Sequence, residues 1–277
     1  MSFFLFEMKS KHRTVALLTD FGLRDQYVGA VKGVILSRAP QAGIVDISHN
    51  VSPHSIQEAA FLLWSAYRYF PKGTIFVVIV DPEVGGKRRI ICAQGGQYIF
   101  LAPDNGLLKY VFGELNVSKV VSIQETRFFL PHVSSTFHGR DIFAPVCSHL
   151  ANGVPLSRLG EEIHPVTRAE LFLTFDRQKD RQVEGTIVYI DHFGNIITNI
   201  YQENPSKGKP RLQMIIRRRE VVDYFSPTYA EAPRNRPFMM QGSTGLLEVA
   251  VREGSAARVL RARIGDPVRL VIHRAKR

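Results

Sequence analysis

Residues 74–80 read Thr74-Ile75-Phe76-Val77-Val78-Ile79-Val80 and are bounded by Gly73 and Pro82. A run that is apolar at nearly every position, rather than at alternate ones, and rich in β-branched side chains leaves no face for water. It predicts a strand buried on both faces in the middle of a sheet. Upstream, Thr14 to Leu18 reads as another strand, and Asp25 to Arg38 as a helix with Val28, Val31, Val34 and Ile35 on one face. Ile44 to Ile47 is a further strand. Ser55, with Glu58 three residues later, has the capping-box spacing, so a helix is expected to begin there and to end before Pro71-Lys72-Gly73. Downstream, Arg89 to Ala93 and Tyr98 to Ala102 suggest strands, and Asp141 to Ala151 a helix stopped by Asn152-Gly153. This alternation predicts an α/β fold with a central, mostly parallel sheet.

Beyond about Pro165 the helical periodicity fades. Gly185 to Ile190, Leu212 to Ile216, Leu246 to Val251 and Val268 to Ile272 are short strand-like runs separated by turn residues. The expectation is therefore an N-terminal α/β domain over residues 14–165 and a smaller, all-β C-terminal domain over residues 175–277. Gln202 to Pro210 is expected to be a surface loop of the second domain, and the apolar opening Met1 to Phe6 a frayed tail. That opening is cut short by Glu7, Lys9, Lys11, His12 and Arg13, too soon for a signal-peptide core or a membrane span.

Composition narrows the function. In 277 residues only two cysteines occur, Cys92 and Cys147, with no short metal-ligand spacing, which argues against a disulfide framework and a zinc ribbon and fits reduced thiols in a cytoplasm. The net charge of +11 invites a nucleic-acid partner. Basic residues are nevertheless scattered, with short runs at Lys87-Arg88-Arg89 and Arg217-Arg218-Arg219, and lack an aromatic-interleaved stripe, so a solvated basic surface is the expectation.

The chemistry lies where strands end. Thr19-Asp20-Phe21-Gly22, Asp81-Pro82-Glu83-Val84-Gly85, Pro103-Asp104-Asn105-Gly106 and Phe137-His138-Gly139-Arg140-Asp141 carry polar residues and glycines, and most of them directly follow an expected strand. Open α/β sheets place their binding crevice there. A fifth segment, Asp191-His192-Phe193-Gly194-Asn195, lies in the second domain. Each alone is explained as a turn or a helix cap. Carboxylates at several strand ends with His and Arg nearby point instead to a shared pocket. Neither a dinucleotide fingerprint nor a Walker A motif is present, and an acid-lined pocket suits a ligand with positive charge or hydroxyls.

In the order and spacing of Leu18 to Gly22, Asp25, Tyr27-Val28-Gly29, Val80-Asp81-Pro82, Arg88, Pro103 to Gly106, Phe137 to Asp141 and Asp191 to Asn195, the sequence resembles the S-adenosylmethionine (SAM) hydroxide adenosyltransferase family, related to the SAM-dependent fluorinase and chlorinase. The resemblance covers residues 14–273. It implies an N-terminal α/β domain, a barrel-like C-terminal domain, and a homotrimer with SAM bound between one subunit's first domain and a neighbour's second. It also implies hydrolysis of SAM to adenosine and methionine without metal or other cofactor. The catalytic positions it implies are Asp81, Arg88 and His138, with His138 as the expected proton acceptor, Asp81 orienting His138 or the water, and Arg88 stabilising hydroxide character. Asp20 would accept the ribose hydroxyls, Asp25 would lie near the methionine end and Asp191 would bind its ammonium. Asn195 would read the adenine edge, Phe193 would stack or merely pack, and Ser243 would contact methionine.

The family commonly has glycine where Glu83 stands, and if that position had positive φ a glutamate there would be strained by about 1 kcal/mol. Three rival readings are a halogenase, disfavoured by a carboxylate at Asp81, a non-catalytic SAM or adenosine sensor, and a metal-dependent hydrolase built on Asp20, Asp104, His138 and Asp141. The last lacks any close ligand pair.

Overall fold

The computed structural model describes residues 13–164, 173–174, 182–201 and 211–273. The segments read as a frayed tail, Met1 to Phe6, and as a surface loop, Gln202 to Pro210, lie outside the described residues. The chain divides into two compact units, with the division between residues 169 and 170.

In the first unit the apolar run at residues 74–80 forms β3 (Ile75–Ile79), buried at every position. It lies between β1 (Thr14–Thr19) and β5 (Tyr98–Pro103) and runs parallel to both. β2 (Gly43–Ser48) flanks β1 in parallel, whereas β4 (Ile90–Gly95) and β6 (Val117–Ser122) close the other side antiparallel, giving the order β2-β1-β3-β5-β4-β6. Pleating sends alternate side chains of β3 to opposite faces. Ile75, Val77 and Ile79 join Val31 and Ile35 of helix α1 (Tyr27–Arg38) and Val146 and Leu150 of helix α4 (Ala144–Ala151) in one core. On the other face Phe76 stacks on Phe100, which meets Phe112 of helix α3 (Lys109–Glu114) edge-on. Trp64, in helix α2 (Ile56–Ala66), donates its indole N–H to Glu114 of α3. Each fully buried aliphatic or aromatic side chain contributes about 1.5–3 kcal/mol, so a doubly covered strand is where the stability concentrates.

Helix α2 starts where the Ser55 spacing predicted, but the capping box does not form. Ser55 makes no side-chain cap, and Glu58 accepts the N–H of Ser52 instead, at 3.2 Å. A buried carboxylate takes whichever main-chain donor the fold presents, and here that donor lies in the preceding turn. The helix expected from Asp141 begins two residues earlier, as a π-helical turn over Gly139–Phe143 that runs directly into α4. Such turns admit an extra residue and cluster at functional sites.

Among the described residues of the second unit, β8 (Gln182–Ile190), β9 (Ile196–Tyr201), β10 (Arg211–Ile216), β11 (Glu220–Val222), β12 (Pro237–Gln241), β13 (Leu246–Val251) and β14 (Pro267–His273) form an antiparallel sheet ordered β11-β10-β14-β8-β9-β13-β12. β7 (Leu173–Thr174) adds one parallel pairing to β9. The sheet nearly closes on itself. Just past β11, the carbonyl of Tyr224 accepts from Met239 of β12 at 2.7 Å, and Ser226 donates back to Met239 at 2.9 Å. Closure removes the unpaired edges that an open sheet would expose. A short helix, α5 (Ala256–Val259), is capped by Ser255, whose Oγ accepts the N–H of Arg258.

Candidate active site

The connectivity of the first sheet creates a crevice before any side chain is considered. The chain leaves β1 for β2 on one side, then returns to β3 on the other, so the strand order switches at β1 and β3. Ligands of open α/β sheets bind outside the carboxyl ends of strands at such a switch. Asp20 directly follows β1 and Asp81 follows β3 by two residues. Both line a cavity of about 350 Å³, together with Phe21, Tyr27, His54 and His138.

Asp81, in that wall, is paired with Arg88 behind it, their side chains 5% and 6% exposed. Arg88 Nε donates to the two carboxylate oxygens at 3.0 and 2.8 Å, and Nη2 donates to Oδ2 as well. The same Nη2 lies 2.9 Å from His138 Nδ1. Arg88 therefore stands between the other two, and the expected orientation of His138 by Asp81 acts only through it. An arginine nitrogen is always a donor, so Nδ1 must accept and the proton of the neutral ring sits on Nε2. Burial, with the charge of Arg88, lowers the pKa of His138, outweighing the opposing pull of Asp81 and Asp141. The ring is neutral at neutral pH with Nε2–H as its remaining polar group. That group donates, so the expectation that His138 accepts the water's proton does not fit this arrangement.

The supporting residues show how the wall is held. Asp141 is fully buried and accepts from Ser134 N–H and Arg140 Nε. Burial opposes its ionisation, but these donors outweigh it and hold the carboxyl below its ordinary value. Asn105, in the Pro103 to Gly106 turn, donates Nδ2 to the carbonyl of Val80 and pins the chain just before Asp81, whereas Asp104 pairs with Arg89. Glu83 does not occupy the left-handed region, so the strain considered for it does not arise. Gly85 occupies it instead, at φ +79°, where a Cβ would lie 2.4 Å from the carbonyl oxygen of Ser135. Phe21, Tyr27 and Phe137 form a ring cluster on the cavity, with centroids 5.0–6.1 Å apart. Asp20 Oδ2 accepts the N–H of His54 at 2.9 Å. Asp25 is exposed in the loop before α1 and is not part of the cavity wall.

The second unit has its own cavity, about 840 Å³, lined by Asp191, Phe193, Asn195, Tyr229, Arg252 and Ser255 among others. Asn195 is buried, donating its main-chain N–H to Asp191 Oδ1 and its Nδ2 to Asp191 Oδ2, each at 2.8 Å, and to Tyr229 Oη at 3.1 Å. Its donor side is thus occupied and only the carbonyl oxygen remains for a ligand, half of what an adenine edge was expected to use. Phe193 is 74% exposed, which removes the packing alternative and leaves its ring open to stack. The turn that presents it depends on Gly194, at φ +83°, where a Cβ would strike Ser255 Oγ at 2.0 Å. Ser243 is exposed in the Gly242 to Gly245 turn and does not line this cavity. Sequence reasoning missed Tyr229 and Glu248. Burial, aided by the charge of Asp191, raises the Glu248 carboxyl to about 7.

Among the described residues no three His, Cys, Asp or Glu side chains converge as metal ligands. Cys92 and Cys147 are free and buried, and burial raises both thiols. No helix among the described residues is long and apolar enough to cross a membrane.

Residues 15–160 match the SAM hydroxide adenosyltransferase N-terminal domain and residues 185–269 the corresponding C-terminal domain. The chain is 37% identical to an (R)-S-adenosyl-L-methionine hydrolase of Thermus thermophilus, over 94% of this chain and 100% of that protein. It is 29% identical to a fluorinase of an Actinoplanes species, over 85% of this chain and 90% of the other. A crystal structure of an uncharacterized conserved protein from Thermotoga maritima superposes with a TM-score of 0.83 at 32% identity, covering 93% of this chain and 99% of that one. With both domains matched in order along most of its length, the chain belongs to the SAM hydroxide adenosyltransferase family.

Proposed function

We propose that the protein hydrolyses S-adenosyl-L-methionine to adenosine and L-methionine by attack of water on ribose C5′. The observation that carries this reading is the Asp81–Arg88–His138 contact on the wall of a cavity that also holds Asp20 and three aromatic rings. Carboxylates and ring faces together favour a cation, as the substrate sulfonium is. Asp20 keeps Oδ1 free of any described partner and directs it to the ribose hydroxyls. Asp81 accepts a hydrogen of the attacking water and takes up its proton as the C5′–O bond forms and the C5′–S bond breaks. His138 Nε2–H holds the oxygen of that water, and Arg88 orients the Asp81 carboxylate and fixes the His138 tautomer. The leaving group departs as a neutral thioether, so the step needs neither metal nor other cofactor. A halide would meet the Asp81 charge at the position where water is welcome.

Asp191 binds the ammonium, Phe193 stacks on adenine and the Asn195 carbonyl accepts its amino group, while Asp25 and Ser243 serve the methionine end. One cavity is lined only by the first unit and the other only by the second, which supports sites that join one subunit's first domain, residues 14–165, to a neighbour's second, residues 175–277, in the homotrimer that the family resemblance implies. Two buried free thiols support a cytoplasmic location.

Purified protein incubated with SAM should release adenosine and methionine in equal amounts, in halide-free buffer and with a chelator present. Tight binding without turnover would favour a sensor. For the assembly, inactive Asp81→Ala and Asp191→Ala chains should regain part of the activity once subunits exchange. A fully active monomer by light scattering would contradict the shared site.

A further inference from the structure

The loop that carries Asp20 is held from behind by a chain of polar groups, buried at Thr19 and His49 and reaching the surface at Asp46, with no part in the chemistry above. His49, 3% exposed, has Nδ1 at 2.8 Å from Thr19 Oγ1, and Thr19 is itself 1% exposed. On its other side His49 Nε2 lies 3.0 Å from Asp46 Oδ1, at an angle outside good hydrogen-bond geometry, and Asp46 Oδ2 is paired with Lys32 at 2.6 Å. A carboxylate beside Nε2 favours the tautomer with the proton there. Nδ1 then accepts from the Thr19 hydroxyl, whose lone pair is left for the N–H of Phe21 at 3.2 Å. The main chain of His49 also takes part, its carbonyl accepting the N–H of Gly22 at 2.7 Å. One residue therefore grips the Asp20 loop at both ends, through Thr19 before it and Gly22 after it.

The order Thr, His, Asp is also that of a nucleophile with its base and orienting acid. Here the hydroxyl is sealed in the interior and does not line the cavity, so no substrate carbon reaches it. The chain's only route to the site is through the loop.

We propose that His49 is a positioning residue that fixes the Asp20 carboxylate for the ribose, with Asp46 setting the tautomer that lets it do so. This rests on the reading of Asp20 as the ribose ligand. Asn reproduces the Cγ and Nδ1 positions of His and can accept from Thr19 through its amide oxygen, whereas Ala cannot.

The test compares the SAM-cleavage kinetics of His49→Ala, His49→Asn and Thr19→Val with wild type, alongside hydrogen exchange at the Phe21 and Gly22 amides. His49→Ala and Thr19→Val should raise KM about tenfold or more while kcat changes by only a few-fold, and exchange at Phe21 should quicken. His49→Asn should recover most of the lost KM. A folded His49→Ala protein with wild-type KM and protection would overturn the proposal, as would a loss confined to kcat, or an Asn variant no better than Ala. If His49→Ala does not fold, Thr19→Val decides by the same criteria. If wild type neither binds nor cleaves SAM, the hydrolase reading fails; exchange unchanged in the variants would then sink the clamp too, and faster exchange would leave it standing as a loop anchor.

Discussion

Asp81→Ala should destabilise the first unit by about 3–5 kcal/mol, because it leaves Arg88 as a buried cation with only His138 to face. For a unit of this size that corresponds to a fall in Tm of about 10 °C, readable in a thermal melt. Removing both partners should cost less than the sum of the single losses, since Arg88→Ala on top of Asp81→Ala eliminates the orphaned charge. Additive losses in that cycle would mean that the pair is not coupled as its geometry indicates. Asp81→Asn separates the two effects in part, as the amide keeps the shape and its oxygen still accepts from Arg88, while its NH2 cannot and the charge is gone. It should cost less stability than Asp81→Ala and lose about 10²- to 10⁴-fold in kcat, the usual effect of removing a general base.

His138→Ala should lower kcat about a hundredfold, the scale of losing one well-placed hydrogen-bond donor, with KM close to wild type. A KM effect alone would make His138 a ligand-holding residue. The pH profile adds a sign. The folded pKa of His138 lies below 6.5, so the neutral ring persists through neutral pH and protonates only as pH falls through that lowered value. Protonation puts a hydrogen on Nδ1 and breaks the Arg88 contact. Both the rate and this residue's contribution to stability should therefore be intact above 6.5 and be lost only on further acidification, and the His138→Ala profile should lack that limb. An acid limb centred above 6.5 would contradict the arrangement.

Much of this was legible in the sequence because burial writes itself into composition. β3 could be read because covering both faces of a strand demands apolar residues throughout. The first cavity could be read because sheet topology brings strand ends together, so Asp20 and Asp81, 61 positions apart in a 277-residue chain, meet where the order switches. What could not be read were choices among equivalent donors. Glu58 bonds Ser52 rather than Ser55, and Arg88 rather than Asp81 touches His138, because each depends on side-chain reach after folding. Asn195 had the spacing of a ligand residue, yet its donors turn inward to Asp191 and Tyr229, a partner 34 positions away with no local signal. His49 passed unnoticed because a lone histidine before a loop has no pattern to announce it. Asp25 and Ser243 owe their roles to family resemblance alone, and both are exposed outside the two cavities.

The water-attack mechanism makes one demand that neither the halogenase nor the sensor reading shares. When SAM is turned over in ¹⁸O-enriched water, the oxygen bound to C5′ comes from solvent, so mass spectrometry should find the label in the 5′-hydroxyl of adenosine and none in methionine. Label in methionine instead, or no product until halide or a divalent metal is added, would contradict it.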